Sequence, residues 1–429
     1  MSSHTTGEPA TTDESVRVVS LANGLTILAQ PMPWLRTAAF ALAVRGGVEY
    51  EPERCGGLAG LLCEMSQRGA GRYSSRDIVA MQDNLGLDHS SGASSALASF
   101  GAAMPADSLP DALSLYAEII RRPHLPGDQL DDARMGALQE VRAIRDEPTQ
   151  QLILRLKKMQ YGPRAGRPTC GDEAGLTAIT MSDLHRFYSE RYRPDGAILA
   201  VAGHFELDAT IDHVESLFGD WQGESSELAD DSGGQPGYAH IQQDSSQTHI
   251  GLGFPAVPLS DPDYYLLRAG VGILSDGMSS RLFDRVREQR GLCYNVSLSV
   301  HSMRHRGAVL GYAGTTPERA QETLDVTLRE IEAIVDGIES AELDRLKVRV
   351  QSGLIMEQES SWSRVSSLIS DWFHRGRVVS MAELEQRIES LTTDQIVAYW
   401  RAHPPSDYRV VTLGQHPLIV PPSRNESKA

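Results

Sequence analysis

The chain has 429 residues, 40 basic and 57 acidic, and its formal charge of 40 − 57 = −17 leaves no basic face to release counterions from nucleic acid or meet anionic headgroups. Its 41% hydrophobic and 23% charged content is that of a globular chain long enough for two or three domains, and no apolar run reaches the ~18 residues of a membrane span. Cys55, Cys63, Cys170 and Cys293 form no CxxC pair, so neither a disulfide framework nor a zinc ribbon is encoded, and residues 1–15 are polar throughout. These features predict a cytoplasmic protein with a disordered N-terminal tail.

From the N-terminus, VRVVSLANGLTILAQ is two short apolar runs around Asn23-Gly24, a pair that favours the type I′ turn of a hairpin. Residues 37–45 and 95–104 read as further strands, with helices at about 56–68, 75–85, 107–121, 127–146 and 149–160. Gly46-Gly47 and Gly56-Gly57 mark a tight connection from strand to helix. The second half repeats the order, with a strand at 247–255, helices near 262–274 and 279–290, strands at 293–302 and 306–313, and long helices between about 316 and 375. No GxxxxGK[ST] or GxGxxG joins a strand to a helix, so Gly277 and Gly291 are turn and cap glycines, not a phosphate cradle. Acidic clusters such as Glu51 with Glu53, and Asp131 with Asp132, read as solvated faces.

An internal repeat fixes the organisation. TMSDLHRFYSERYRPDGAILAVAG and LTTDQIVAYWRAHPPSDYRVVTLG share Asp183/Asp394, Tyr188/Tyr399, Pro194/Pro405 and Gly203/Gly414 at a constant offset of 211. Each is a capped helix, with Ser182 or Thr393 as expected N-cap, then a proline turn and an apolar strand running into glycine. The expected class is α+β: two homologous α/β-roll domains, each a mainly antiparallel sheet with helices packed on it. The expected boundaries are a tail at 1–15, a first domain at 16–222, a Gly/Ser/acidic linker at 223–237, a second domain at 238–420 and a tail at 421–429.

Three segments carry the chemistry. GGVEYEPERCGGLAGLLCEM leads a glycine-rich turn into a helix, and ALQEVRAIRDEP is acidic and helical. In GMSSRLFDRVREQRGLCYNVS, Arg287 lies in the last helical turn before Gly291 and Tyr294 opens the next strand. A guanidinium fork and a phenol so placed can both donate to one carbonyl oxygen, which is oxyanion-type stabilisation. The same residues have a structural reading: Tyr294 begins an apolar face with Val296, Leu298 and Val300, and a last-turn arginine complements the helix dipole. For a metal, Cys63 and Glu64 offer sulfur and oxygen, but neighbouring helical side chains point ~100° apart and do not converge. His301 and His305 have metal-ligand spacing on a helix, yet fall on a predicted strand and turn and read as exposed histidines.

Together these segments resemble the pitrilysin/insulinase-type inverted zincins, a family that includes the mitochondrial processing peptidase, over about Val16 to Gly414. The resemblance implies a helix with HxxEH, whose two histidines bind zinc while the glutamate activates the metal's water. Here the histidine positions fall on Gly60 and Glu64 and the catalytic glutamate position on Cys63. The distal ligand position is kept as Glu140, 76 residues after Glu64, and the companion acid seven residues before it is Ala133. The metal site is therefore degenerate, and no zinc is expected in this chain. The family's Arg and Tyr, which hold the substrate backbone and polarise the scissile carbonyl, correspond to Arg287 and Tyr294. In family members divided between two chains, one subunit brings HxxEH and the other the Arg/Tyr pair.

This chain resembles the second kind. The resemblance implies a non-catalytic, substrate-binding subunit of a heterodimeric zinc metalloendopeptidase, inactive alone and active with a homologous HxxEH-bearing partner that holds the zinc. Its substrate would be an unfolded peptide, and a homodimer is also possible. The alternative is a catalytically inactive homologue acting as an assembly or peptide-binding protein, with Arg287 and Tyr294 as fold residues only.

Overall fold

The computed structural model describes residues 16–226, 228 and 233–420. The expected tails at 1–15 and 421–429 and part of the expected linker lie outside the described residues.

The first sheet contains β1 (Arg17–Ser20), β2 (Thr26–Pro31), β3 (Thr37–Val44), β4 (Asp88–Ala93), β5 (Ala98–Pro105) and β6 (Ile198–Gly203), in the order β1-β2-β6-β3-β5-β4. The second contains β7 (Gly237–Gln242), β8 (Thr248–Ala256), β9 (Cys293–Ser302), β10 (Gly307–Thr315) and β11 (Arg409–Gly414), in the order β7-β11-β8-β10-β9. Pairing is antiparallel throughout except β2 with β6 and β7 with β11. With β1 set aside the two orders are the same. Strands β2, β3 and β6 open at 26, 37 and 198, and β7, β8 and β11 open at 237, 248 and 409, each 211 residues later. The repeat seen in one helix-strand unit thus runs through the whole fold, which is α+β with two homologous rolls.

Helices of the first half are α1 (Leu58–Ser66), α2 (Ser75–Asn84), α3 (Leu109–Arg121), α4 (Leu130–Arg145), α5 (Pro148–Ala165), α6 (Glu173–Ala178), α7 (Met181–Arg191) and α8 (Leu207–Phe218). Those of the second are α9 (Tyr264–Ser275), α10 (Ala320–Glu332), α11 (Ser340–Glu357), α12 (Ser361–Arg375), α13 (Met381–Glu389) and α14 (Thr393–Ala402), with a π-helical segment at Phe283–Glu288. One face of each sheet packs on its own half's helices. Phe40 and Leu42 of β3 meet Leu113 and Tyr116 of α3, and Leu252 and Phe254 of β8 belong to a core with Trp400 of α14.

The opposite faces are covered by exchange. Helix α12, from the second half, lays Val365 and Leu368 over Ala39, Ala41, Ala200 and Ala202 of the first sheet. Helix α5, from the first half, lays Leu152 and Leu156 over Leu310, Val411 and Leu413 of the second. Small residues allow the close approach: a Cβ on Gly251 of β8 would stand 2.5 Å from Leu152 Cδ2, and one on Gly101 of β5 2.9 Å from the Trp362 ring. Such two-sided burial explains the unbroken apolar run of β3 and β6.

Several expectations are corrected. Asn23-Gly24 is not a two-residue turn: Ser20 pairs with Thr26, Leu21 bonds to Leu25, and Gly24 at φ +92° follows a turn begun at Leu21. Asn23 is needed elsewhere, its amide donating to the carbonyls of Phe218 and Trp221. The helix caps are Thr180 and Thr392, not Ser182 and Thr393, each closing a capping box with Asp183 or Gln395. The fourth expected strand begins at Ala98, and the short polar edge strand β4 precedes it unforeseen, as β7 precedes β8. The expected long helices between 316 and 375 are three, α10 to α12.

Leu156→Ala and Leu368→Ala, both in the exchanged helices, are expected to cost about 2–5 kcal/mol each, the price of a buried leucine cavity, although neither lies in the two large cores. Urea unfolding measures this, and losses below about 1 kcal/mol would show the exchange to be dispensable.

Candidate functional site

The degenerate metal position lies in a cleft of about 500 Å³ between α1, α4 and the edge strand β4. Helix α1 starts at a sharp bend: Gly57 has φ +98°, and a Cβ on Gly56 would stand 2.7 Å from Asp172 Oδ2. The bend is fastened by Glu51, whose carboxylate accepts the backbone N–H groups of Gly57 at 3.1 Å and Ala59 at 2.8 Å. Glu51 is therefore not part of a solvated face; it is 5% exposed. Burial pushes its carboxyl up to about 7, partly offset by the two N–H donors and by Arg167.

Along α1 the family's ligand positions now face different surroundings. Gly60 leaves open room in the cleft, its nearest neighbour for an added Cβ being the Thr169 carbonyl at 3.6 Å. Cys63 points into the core, 2% exposed, with Sγ 3.6 Å from the Tyr192 hydroxyl, and burial pushes its thiol up to about 12. A zinc ligand must be a thiolate, which this setting opposes. Glu64 reaches the cleft but binds Arg68, with Oε1 accepting from Nη2 at 3.0 Å and Nε at 3.2 Å. Glu140 lines the opposite wall, and Ala133 is packed in the first core. Among the described residues no three His, Cys, Asp or Glu side chains group as a metal site. The donors present do not fit zinc.

His301 is not an exposed histidine. Its Nδ1 lies 2.7 Å from the Tyr161 hydroxyl of α5, and burial lowers its ring to about 4, so it stays neutral at the junction of α5 with β9. His305 lies in the β9–β10 turn.

The Arg/Tyr segment has a different geometry. Arg287 belongs to the π-helical segment, in which the Gln289 N–H reaches the Asp284 carbonyl at 2.8 Å. The segment runs out through a turn to Gly291, φ +58°, with the Gly291 N–H on the Arg287 carbonyl and the Leu292 N–H on the Val286 carbonyl. The turn is pinned from outside by Arg319 on the Gly291 carbonyl and by the Thr315 and Thr323 hydroxyls on the Leu292 carbonyl.

Beyond the turn the β9–β10 register slips: Asn295 faces Gly314, but Cys293 faces Thr315. This bulge leaves Tyr294 unpaired, and Tyr294 and Asn295 are both exposed between buried Cys293 and Val296, so Tyr294 leaves the face of Val296 and Leu298. Tyr294 is 81% exposed, which excludes a packed core tyrosine. Arg287 lies against it, its Cζ 5.4 Å from the Tyr294 ring centre and 4.5 Å from that of Phe283. The sequence placed Arg287 and Tyr294 one turn apart; it did not signal Phe283, the π turn or the Glu64–Arg68 pair.

Two duplicated rolls, a helix-lined cleft without imidazoles and a pinned Arg/Tyr turn define a zinc-peptidase scaffold stripped of its metal donors. The family profile described as Insulinase (Peptidase family M16) matches residues 26–173, and that described as Peptidase M16 inactive domain matches residues 178–349. An uncharacterized zinc protease of Mycobacterium bovis is 27% identical over 93% of both chains, and one of Rickettsia felis 25% identical over 90% of this chain and 94% of its own. Among solved structures, a peptidase M16 inactive domain from Pseudomonas fluorescens superposes with a TM-score of 0.87 at 24% identity, covering 95% of this chain and 99% of that one. A protease from Helicobacter pylori gives 0.84 at 20%, covering 93% and 99%, and a chain of Complex III2 from Candida albicans 0.81 at 17%, covering 94% and 96%. The chain belongs to the insulinase (M16) peptidase family, and its second half matches that family's inactive-domain model. Among the described residues no helix is long and apolar enough to cross a membrane.

Two outcomes are expected. After dialysis against micromolar zinc the isolated chain retains no stoichiometric metal by mass spectrometry; one tightly held equivalent would contradict the donor analysis. The second concerns Glu51. The unfolded carboxyl titrates near 4.5 and the folded one near 7, so the folded state binds the extra proton in this window. Stability from this group is full below the window and falls as pH rises through it, by on the order of 3 kcal/mol. Wild type should therefore lose stability relative to Glu51→Gln between pH 4.5 and 7.5 in urea unfolding; a constant difference would refute the assignment.

Proposed function

We propose that this protein is the non-catalytic subunit of a split-site zinc endopeptidase. It pairs with a homologous subunit that carries HxxEH and the zinc, and presents Arg287 and Tyr294 to the scissile carbonyl of a peptide held in that partner's site. The observation that carries this reading is the contrast between the two halves of the chain. The metal position has lost its donors, whereas Tyr294 is turned out of its strand by a bulge and stands in solvent beside Arg287. A large exposed aromatic beside a guanidinium has no packing role in this chain, and it suits a carbonyl supplied from outside.

In this reading Arg287 donates from its planar fork and Tyr294 from its hydroxyl to the carbonyl oxygen, where negative charge grows as water attacks. The peptide is bound by strand addition at the partner's sheet edge, because backbone pairing tolerates many sequences. The four unpaired cysteines support a reducing, cytoplasmic setting. The fold shared with a chain of Complex III2 favours a second reading, a homologue that serves in assembly or peptide binding without proteolysis.

Affinity purification from the native extract, with chelator-sensitive peptide cleavage as the readout, separates the two. The first reading expects a similar-sized HxxEH protein in the eluate. In that complex, Arg287→Ala should lower kcat about 10²–10³-fold without weakening assembly, and Tyr294→Phe should also lower it. Full turnover by the Arg287→Ala complex would overturn the first reading.

A further inference from the structure

Three of the arginines around the π-helical segment, Arg281, Arg285 and Arg287, are held in different ways. Arg281 makes a double hydrogen bond to Glu342 of α11, both at 2.6 Å, and Arg285 binds Glu330 of α10 at 2.6 Å. Both are thereby tied to acids of neighbouring helices. Among the described residues Arg287 pairs with no acid but the adjacent Glu288, at 3.6 Å from Nε, with that carboxylate side chain 57% exposed. Its seat is aromatic: its Cζ lies 4.5 Å from the centre of Phe283 and 5.4 Å from that of Tyr294.

Phe283 has no evident core role. It is half-buried, and it is neither a member of the second core nor one of the partly buried side chains packed against it, whereas its neighbours Leu282 and Val286 are core members. Residues four apart on one helical turn are neighbours, and the Arg287 Cζ stands over the ring of Phe283 at 4.5 Å. A ring that restrains a guanidinium by its face leaves the N–H groups at the guanidinium edge to donate.

We infer that Phe283 is a positioning residue that holds Arg287 in the rotamer from which it donates to the substrate carbonyl. The inference rests on the reading of Arg287 given above. Phe283 touches no substrate; it restrains the side chain that does, so that less freedom is lost when the carbonyl arrives. Removing the ring leaves the charge of Arg287 in place but lets it wander. The loss should therefore appear in kcat, where the carbonyl interaction strengthens, and little in KM.

The test uses the complex with the HxxEH partner and the variants Phe283→Leu, Phe283→Trp and Arg287→Ala, assayed on one peptide substrate, together with site-resolved phenylglyoxal modification of Arg287 in the isolated chain. Phe283→Leu is expected to lower kcat about tenfold with KM within about twofold, and to raise the modification rate of Arg287 severalfold. Phe283→Trp, which restores a ring, should recover both. An inactive Arg287→Ala complex beside a fully active Phe283→Leu complex overturns this inference alone. A fully active Arg287→Ala complex overturns the underlying reading and the inference with it. Equal Arg287 reactivity in wild type and Phe283→Leu also overturns the inference, whether or not a partner is at hand.

Discussion

The exchange of α5 and α12 between the halves is the constraint on which the rest of the structure depends. Strands β3 and β6 are apolar on both faces, and a sheet of that kind is stable only when both faces are covered. Each half supplies helices for one face of its own sheet and a single helix for the far face of the other. Neither roll is complete without the other half of the chain. The polar pairs at these joints, Tyr161 with His301 and Arg364 with Gln30, help to set where each helix seats, because a slip would break both hydrogen bonds.

On that frame, three departures from regular geometry lie close together between Phe283 and Tyr294. A π-helical segment, a left-handed glycine and a β-bulge follow one another within twelve residues, and each sacrifices regular pairing. Their common product is an arginine and a tyrosine held against each other at the surface. Three outside groups, Arg319, Thr315 and Thr323, hold the carbonyls of the turn. The equivalent tyrosine in a regular strand would have followed Val296 and Leu298 into the core.

How far the fold could be read from the sequence depended on whether local pattern or long-range packing decided each feature. The 211-residue offset was visible in four identities and extends to strands β2, β3 and β6, because the capped helix, proline turn and glycine-ended strand are local patterns. The exchanged helices were not visible, since the apolar face of α5 does not say which sheet it meets. Glu51 was misread for a similar reason. As a carboxylate near other acids it looks solvated, and only its position six residues before a glycine-opened helix turns it into a cap. At the site, the absent histidines were plain in the sequence, but the direction of Tyr294 was not. It rests on a one-residue slip against Gly314 and Thr315, and a slip of one residue reverses every face assignment.

Helix α1 needs no metal donors to keep its place, and the reason is local. Helix α1 is fixed at its start by Glu51 and along its length by Leu58, Leu61, Leu62 and Met65 in the first core, none of which depends on a ligand at Gly60 or Glu64. Cys63 fills its place as a small apolar side chain against Tyr192, and Arg68 supplies the positive charge that Glu64 would otherwise lack. A histidine pair or a metal is thus unnecessary for the stability of the cleft. The Arg287–Tyr294 turn is built differently, because pinned carbonyls, a bulge and an aromatic contact together fix where its side chains stand. The two sites therefore differ in construction: the cleft is set by apolar packing along α1, the turn by hydrogen-bonded carbonyls and a register slip.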